Sequence, residues 1–243
     1  MMAKTAGIVV IGNEILSGKV QDVNAAYLVR ELRLLGVDVR KISVIPDDVE
    51  VIAAEVAVFS RQFEVVFTSG GVGPTHDDVT MEGIAKAFER RVIRHPELEH
   101  LLRSRYSGTL NEARLKLAEV PEGATLVAED NIWFPVVTLE NVYIFPGIPD
   151  LLRQKFERIK ERFRDRPYVL RKVYVNESEG SIAERLHELL RQHPDLMLGS
   201  YPELHNPHYK VMLTLESKDE AYVQAALNKL LSLVPPGAIY QVE

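Results

Sequence analysis

Ala6 to Ile11 reads AGIVVI and stops at Gly12; a short, β-branched apolar run of this kind predicts a strand buried on both faces. Over 24–35 the apolar residues Ala25, Leu28, Val29, Leu32 and Leu35 keep helical spacing, and Gly36 follows as a C-cap. Val37 to Ile45 alternates as a strand ending at Pro46, and Ile52, Val56 and Phe59 mark a second helix. Glu64 to Thr68 predicts a third strand, running into a glycine-rich loop, after which Met81, Ile84, Ala85 and Phe88 give a helix face. Strand and helix alternating in this way predict a doubly wound, mostly parallel α/β sheet, with every strand's C-terminal end on one edge.

Residues 91–120 read as mainly helical, with Pro96 in a first turn. Ile132–Leu139 and Asn141–Phe145 suggest a hairpin around Glu140-Asn141, and a helix carrying Leu151, Leu152, Phe156, Ile159 and Phe163 follows Pro149. The charged stretch Lys160 to Pro167 reads as a linker. Beyond it the order becomes β-α-β-β-α-β, so the expected division is a main domain over 1–167 and a second, smaller α+β domain over 168–243.

The 243 residues carry 46% hydrophobic and 26% charged positions, which excludes a disordered chain. A net charge of -6 offers nucleic acid no basic field, and no apolar run reaches the ~20 residues of a membrane span. With no cysteine, disulfides, zinc–thiolate sites and thiol nucleophiles are excluded. Met1 to Thr5 passes straight into the first strand, so the expected location is the cytoplasm.

Chemistry concentrates in four loops. Ser69-Gly70-Gly71-Val72-Gly73-Pro74-Thr75-His76-Asp77-Asp78-Val79-Thr80 puts three glycines between a strand and a helix N-terminus, a cradle of N–H groups for phosphate. Asp77 and Asp78 would repel that phosphate unless a divalent cation lay between, so the loop implies a metal; the alternative is a glycine turn in which Asp78 or Thr80 caps the helix. In Gly12-Asn13-Glu14-Ile15-Leu16-Ser17-Gly18-Lys19 and the following 21–24, Glu14 and Asp22 are candidate ligands or orienters, and Ser17, Lys19 and Asn24 candidate phosphate contacts. The alternative has Asp22 or Asn24 as an N-cap. In Pro46-Asp47-Asp48 the expected cap is Asp48, which leaves Asp47 facing the cleft. Phe145-Pro146-Gly147-Ile148-Pro149 would form a wall, with Gly147 beside the nucleotide. On one sheet edge these loops would gather Glu14, Asp22, Asp47, Asp77 and Asp78 beside Ser69, Gly70, Gly71, Gly73 and Thr75: an acidic cleft for metal-assisted hydrolysis of a pyrophosphate. Weaker candidates are His76, the pair Trp133-Phe134 (core or base-stacking platform), and in the second domain Leu198 to Pro202 with His205, His208 and Tyr209.

Taken together, the four loops resemble the MoaB/MogA-type molybdopterin-binding fold. They are most similar to the CinA N-terminal domain and the molybdopterin-binding-like domain of FAD synthases, and Leu198–Pro202 with Tyr209-Lys210-Val211 extends the likeness into the second domain. The resemblance implies a divalent-metal-dependent pyrophosphatase acting on FAD or ADP-ribose, with Asp78, Asp47 and Glu14 as catalytic residues and Asp78, Asp47 and Asp77 at the metal. Its cation would be cobalt, magnesium or manganese, with potassium. The alternatives it carries are adenylylation or binding of molybdopterin, and a non-catalytic nucleotide-binding protein. It implies a homo-oligomer, and likens the small domain to a KH-like insert. That domain has no Gly-x-x-Gly loop or basic stripe, so no RNA is expected. Asn13 stands where the family commonly has Asp.

Overall fold

The computed structural model describes residues 4–106, 108–127 and 133–243. Its contacts divide the chain into two units, Met1–Asp165 and Arg166–Glu243.

In the first unit the order is β1 (Thr5–Ile11), α1 (Asn13–Leu16), α2 (Asn24–Leu34), β2 (Asp38–Ile45), α3 (Val49–Gln62), β3 (Val65–Ser69) and α4 (Thr80–Ala87). There follow β4 (Val92–Arg94), α5 (Pro96–Arg105), α6 (Glu112–Leu115), β5 (Glu119–Pro121), β6 (Thr125–Val127), β7 (Val136–Leu139), β8 (Val142–Phe145) and α7 (Pro149–Ile159). The main sheet runs β2-β1-β3-β8-β7-β6. β2, β1, β3 and β8 are mutually parallel, and β7 and β6 are antiparallel additions. Ile11 pairs with Ile45, Val10 with Ser69, and Ser69 with Phe145, so the four parallel strands end level at one edge.

Alternation along β1 explains why that strand is apolar from Ala6 to Ile11. Ile8 and Val10 face a core with Leu28 and Leu32 of α2 and Phe156 of α7. Val9 and Ile11 face the other core, with Ile52, Val56 and Phe59 of α3, Ile84 of α4 and Leu98 of α5. Helices therefore cover both faces, as the run of buried residues requires.

The second unit is β9 (Val169–Val175), α8 (Glu179–Gln192), β10 (Met197–Pro202), β11 (Val211–Ser217), α9 (Glu220–Leu233) and β12 (Ile239–Val242). Its antiparallel sheet runs β10-β11-β9-β12, the order of a ferredoxin-like unit. Val173, Val175, Leu213 and Leu215 pack against Ile182 and Leu189 of α8 and Ala226 and Leu230 of α9.

The expected α/β class, a doubly wound, mostly parallel sheet with a smaller α+β region beside it in sequence, is the class observed. Three local expectations are corrected. The 91–120 region is not all helix, because β4 and β5 pair antiparallel across it, Val92 with Pro121 and Ile93 with Val120; strands of three residues are too short to show a period of two. The hairpin turns at Glu140 as expected, with φ 51 there, but β7 begins at Val136, and Ile132 lies outside the described residues. Lys160 to Phe163 is not linker but a 3-10 turn continuing α7. Phe163 is 2% exposed, with its ring centroid 4.9 Å from Phe67 and 4.8 Å from Tyr143. Among the described residues no helix is long and apolar enough to cross a membrane.

Phe163→Ala should lower the unfolding free energy by about 3–5 kcal/mol in urea titrations, the cost of truncating a core phenylalanine. A linker residue would change it by less than about 0.5 kcal/mol.

Candidate functional site

β3 is buried at every position and delivers the chain to Gly70 (φ 108) and Gly71 (φ 59), both in the left-handed region. A Cβ on Gly70 would stand 2.0 Å from the Ile11 carbonyl oxygen, so the ends of β1 and β3 come together only because that atom is missing. Thr80, fully buried, locks the turn: its hydroxyl donates to the Gly70 carbonyl at 2.8 Å and its N–H to the Gly71 carbonyl at 3.1 Å. Among the described residues the N–H groups of Gly71, Val72 and Gly73 meet no acceptor, which is the donor set an oxyanion needs.

Two half-buried carboxylates fence this turn. Asp78 Oδ2 accepts the Thr75 N–H at 2.9 Å and the Thr75 hydroxyl, and a Cβ on Gly73 would fall 2.4 Å from that oxygen. Asp78 lines a cavity of about 20 Å³, room for a water, with Lys116 and Glu82. Asp47 Oδ2 accepts the Asn13 N–H at 2.7 Å, and its Oδ1 lies 3.4 Å from where a Gly71 side chain would begin. The bond to residue 13 is from its backbone, so Asn there serves Asp47 as Asp would.

On the other side of Gly70, Asn24 is 6% exposed and ties three elements together. Its amide nitrogen donates to Ser69 Oγ at 2.9 Å and to the Gly147 carbonyl at 2.7 Å. Its amide oxygen meets no donor among the described residues. It lines a cavity of about 70 Å³ with Glu14, Asp22, Ser69, Gly70 and Gly147. An orphaned buried oxygen costs about 1–3 kcal/mol, which a ligand bringing an N–H or O–H would recover.

The remaining candidates separate into structural and exposed groups. Asp48 caps α3, accepting from the Glu50 and Val51 N–H groups, as its position predicts. Asp22 Oδ1 accepts from the Asn24 and Ala25 N–H groups and so holds the first turn of α2, but the N-cap is Val23, neither Asp22 nor Asn24 as the alternative reading had it. Neither Asp78 nor Thr80 caps α4, whose N-cap is Val79. The Gly12 loop is not extended; it makes the single turn α1, with the Glu14 carboxylate folded back over Gly12 and the Ser17 hydroxyl donating to the Glu14 carbonyl. Asp77 and His76 are exposed. The Thr75 hydroxyl beside it and its own backbone N–H hold the Asp77 carboxyl below the usual carboxylate range. The single acidic cleft is therefore corrected: Glu14 and Asp22 line one cavity and Asp78 another. Among the described residues no three His, Asp or Glu side chains come close enough to hold a metal by themselves. In the second unit, Leu198 to Pro202 falls on β10 and His208 stacks on Tyr240.

Two lysines escaped the sequence reading. Lys116 Nζ donates to the Thr75 carbonyl at 3.0 Å and the Asp78 carbonyl at 2.8 Å, closing the glycine loop from a segment 38 residues on; nothing local signals such a return. Lys155 Nζ donates to the Phe134 and Pro135 carbonyls at 2.6 and 2.8 Å. Its spacing was the available signal, since it lies four residues from both Leu151 and Ile159 on α7.

Residues 7–166 match the family described as a probable molybdopterin binding domain, and residues 167–243 match the FAD synthase middle domain. A protein of Archaeoglobus fulgidus is 40% identical over 227 residues, covering 93% of this chain and 96% of its own. A probable FAD synthase of Caenorhabditis elegans is 34% identical over 265 residues, 98% of this chain but 51% of its own, so this chain spans about half of that relative. The crystal structure of CinA, a protein with unknown function from Thermoplasma acidophilum, superposes with a TM-score of 0.61 at 28% identity, over 67% of this chain and all (100%) of that one.

Burial pulls the Lys155 ammonium down from its ordinary 10.5 to about 8. Between those values the unfolded chain holds the extra proton, so this group adds stability as pH rises through that window. Urea unfolding at about pH 7 and about pH 10 should show wild type gaining on Lys155→Met at the higher pH. A constant difference would mean that Lys155 is solvated.

Proposed function

The chain belongs to the family of the probable molybdopterin binding domain, and on that premise we propose that it is a divalent-metal-dependent hydrolase cleaving the pyrophosphate of FAD or ADP-ribose to two monophosphates. The observation carrying this reading is the Gly70–Gly73 turn, whose Gly71, Val72 and Gly73 N–H groups meet no acceptor among the described residues and stand between the anchored carboxylates of Asp47 and Asp78. N–H groups alone would make a phosphate site. Two carboxylates alone would repel one. The combination is favourable when a cation joins carboxylate to phosphate.

The residues present suit such a cation. Magnesium and its like take one or two carboxylates and complete their shell with water and phosphate oxygens. Asp47 and Asp78 supply that number, with Asp77 exposed beside them, whereas a closed site of three or four protein ligands is absent among the described residues. When bound, a divalent ion (cobalt, magnesium or manganese) supplies a Lewis acid for the phosphoryl oxygens and a more acidic water.

The chain's own groups do the rest. The Gly71 to Gly73 N–H groups hold one phosphate, and the orphaned Asn24 oxygen, with Ser69 and Gly147, positions the other half. Water adds to one phosphorus, the bond from that phosphorus to the bridging oxygen breaks, and the bridging oxygen leaves on the second monophosphate. Glu14 orients the water, whose proton passes to solvent. Supporting a nucleotide substrate are the match to the FAD synthase middle domain and the relative named as a probable FAD synthase. The family's description also favours a second reading, molybdopterin binding.

Incubation with FAD or ADP-ribose and cobalt should release AMP. Asp78→Asn should lose about a hundredfold or more in turnover and keep nucleotide binding, as expected for a group acting at the reacting phosphate. Unchanged turnover would remove Asp78 from the chemistry. No AMP from either dinucleotide, with tight pterin binding, would establish the second reading instead.

A further inference from the structure

Beyond Val72 the glycine loop borders a larger cavity, of about 150 Å³, which shares Val72, Met81 and Leu117 with the small cavity of Asp78. The two spaces therefore adjoin across these three side chains, and Asn24 lines neither of them. A volume of this size accepts one aromatic ring outright, and here the space opens toward solvent for a second. Its wall is aromatic: the Trp133 and Phe134 centroids are 5.2 Å apart, and the Lys155 ammonium lies 5.3 Å from the Phe134 ring. Lys155 spends two of its N–H donors on the Phe134 and Pro135 carbonyls, and an ammonium has three. An apolar slot with one remaining cationic donor suits a flat ring system that carries an acceptor atom.

We infer that this cavity is the base subsite of the enzyme, taking a two-ring heteroaromatic such as a purine against Trp133 and Phe134, with a ring acceptor toward Lys155. The inference rests on the reading of a nucleotide substrate and adds a direction to it. The base lies on the Asp78 side of the glycine loop, and the other half of the dinucleotide runs toward Asn24. Two-ring size favours adenine, or a pterin, over the three-ring flavin.

Trp133 is the chain's one tryptophan, so its fluorescence reports this cavity alone. Adenosine, which has no phosphate, should quench it saturably without any metal, and riboflavin should bind at least tenfold more weakly. Neopterin in place of adenosine distinguishes a pterin site from a purine site of the same chemistry; quenching by neopterin alone would overturn the purine assignment. Lys155→Met should weaken adenosine about tenfold or more, the loss of one charge-assisted hydrogen bond. Leu151→Glu, on the 40% exposed rim and free of any packing role in the core, should weaken it comparably. Absence of quenching by every ring compound, or affinities unchanged in Leu151→Glu, would overturn the proposal. AMP release from ADP-ribose with no adenosine quenching would sink this subsite and leave the hydrolase reading standing. Quenching without AMP release would do the reverse.

Discussion

The approach of Gly70 to the Ile11 carbonyl governs the geometry of everything above the sheet. With a Cβ at that position 2.0 Å from a backbone oxygen, no side chain is tolerated and no small shift relieves it. The ends of β1 and β3 would have to separate, and with them the Gly147 turn, whose own Cβ would come within 3.3 Å of Gly70. Thr80 then fixes the turn by holding both glycine carbonyls, and the Gly71, Val72 and Gly73 N–H groups meet no acceptor among the described residues. A donor cradle is thus the by-product of packing two parallel strands closely.

The acidic residues around that cradle divide by what their oxygens already hold. Asp48 and Asp22 each satisfy two backbone N–H groups at a helix start, so their charge is spent on local structure. With Oδ2, Asp47 ties down the Asn13 turn and Asp78 ties down Thr75 of its own loop, and both keep Oδ1 beside the glycines. That asymmetry leaves two held, half-buried aspartates beside the glycine turn. Lys116 reinforces it by closing on the carbonyls of Thr75 and Asp78. The same loop then separates two different environments: a polar cavity at Asn24 and an aromatic one beyond Val72.

Much of this was legible from residue order. The alternation of apolar runs showed the parallel strands, and four glycine- or proline-marked loops at their ends placed the site on one edge. Asp48 was readable as a cap because it immediately precedes an apolar helical repeat. Other features depend on distance. The orphaned oxygen of Asn24 exists only because Ser69 and Gly147 take its nitrogen, 45 and 123 residues away. Phe163 keeps the helical spacing of Phe156 and Ile159 but stands in a charged stretch that reads as linker, and one apolar residue in such a segment suffices to anchor a turn in the core. The five acids sounded like one cleft when counted along the chain. Folding puts Glu14 and Asp22 on one cavity and Asp78 on another, sets Asp47 beside Gly71, and leaves Asp77 exposed.

If a divalent cation helps the Gly70–Gly73 turn to bind phosphate, Asp47 and Asp78 are the residues that would hold it. Calorimetric titration of ADP-ribose with and without a divalent ion tests it directly. Wild type should bind at least tenfold more tightly with the ion, and Asp47→Asn/Asp78→Asn should bind equally with and without it. Metal-independent binding of undiminished affinity by wild type would contradict it.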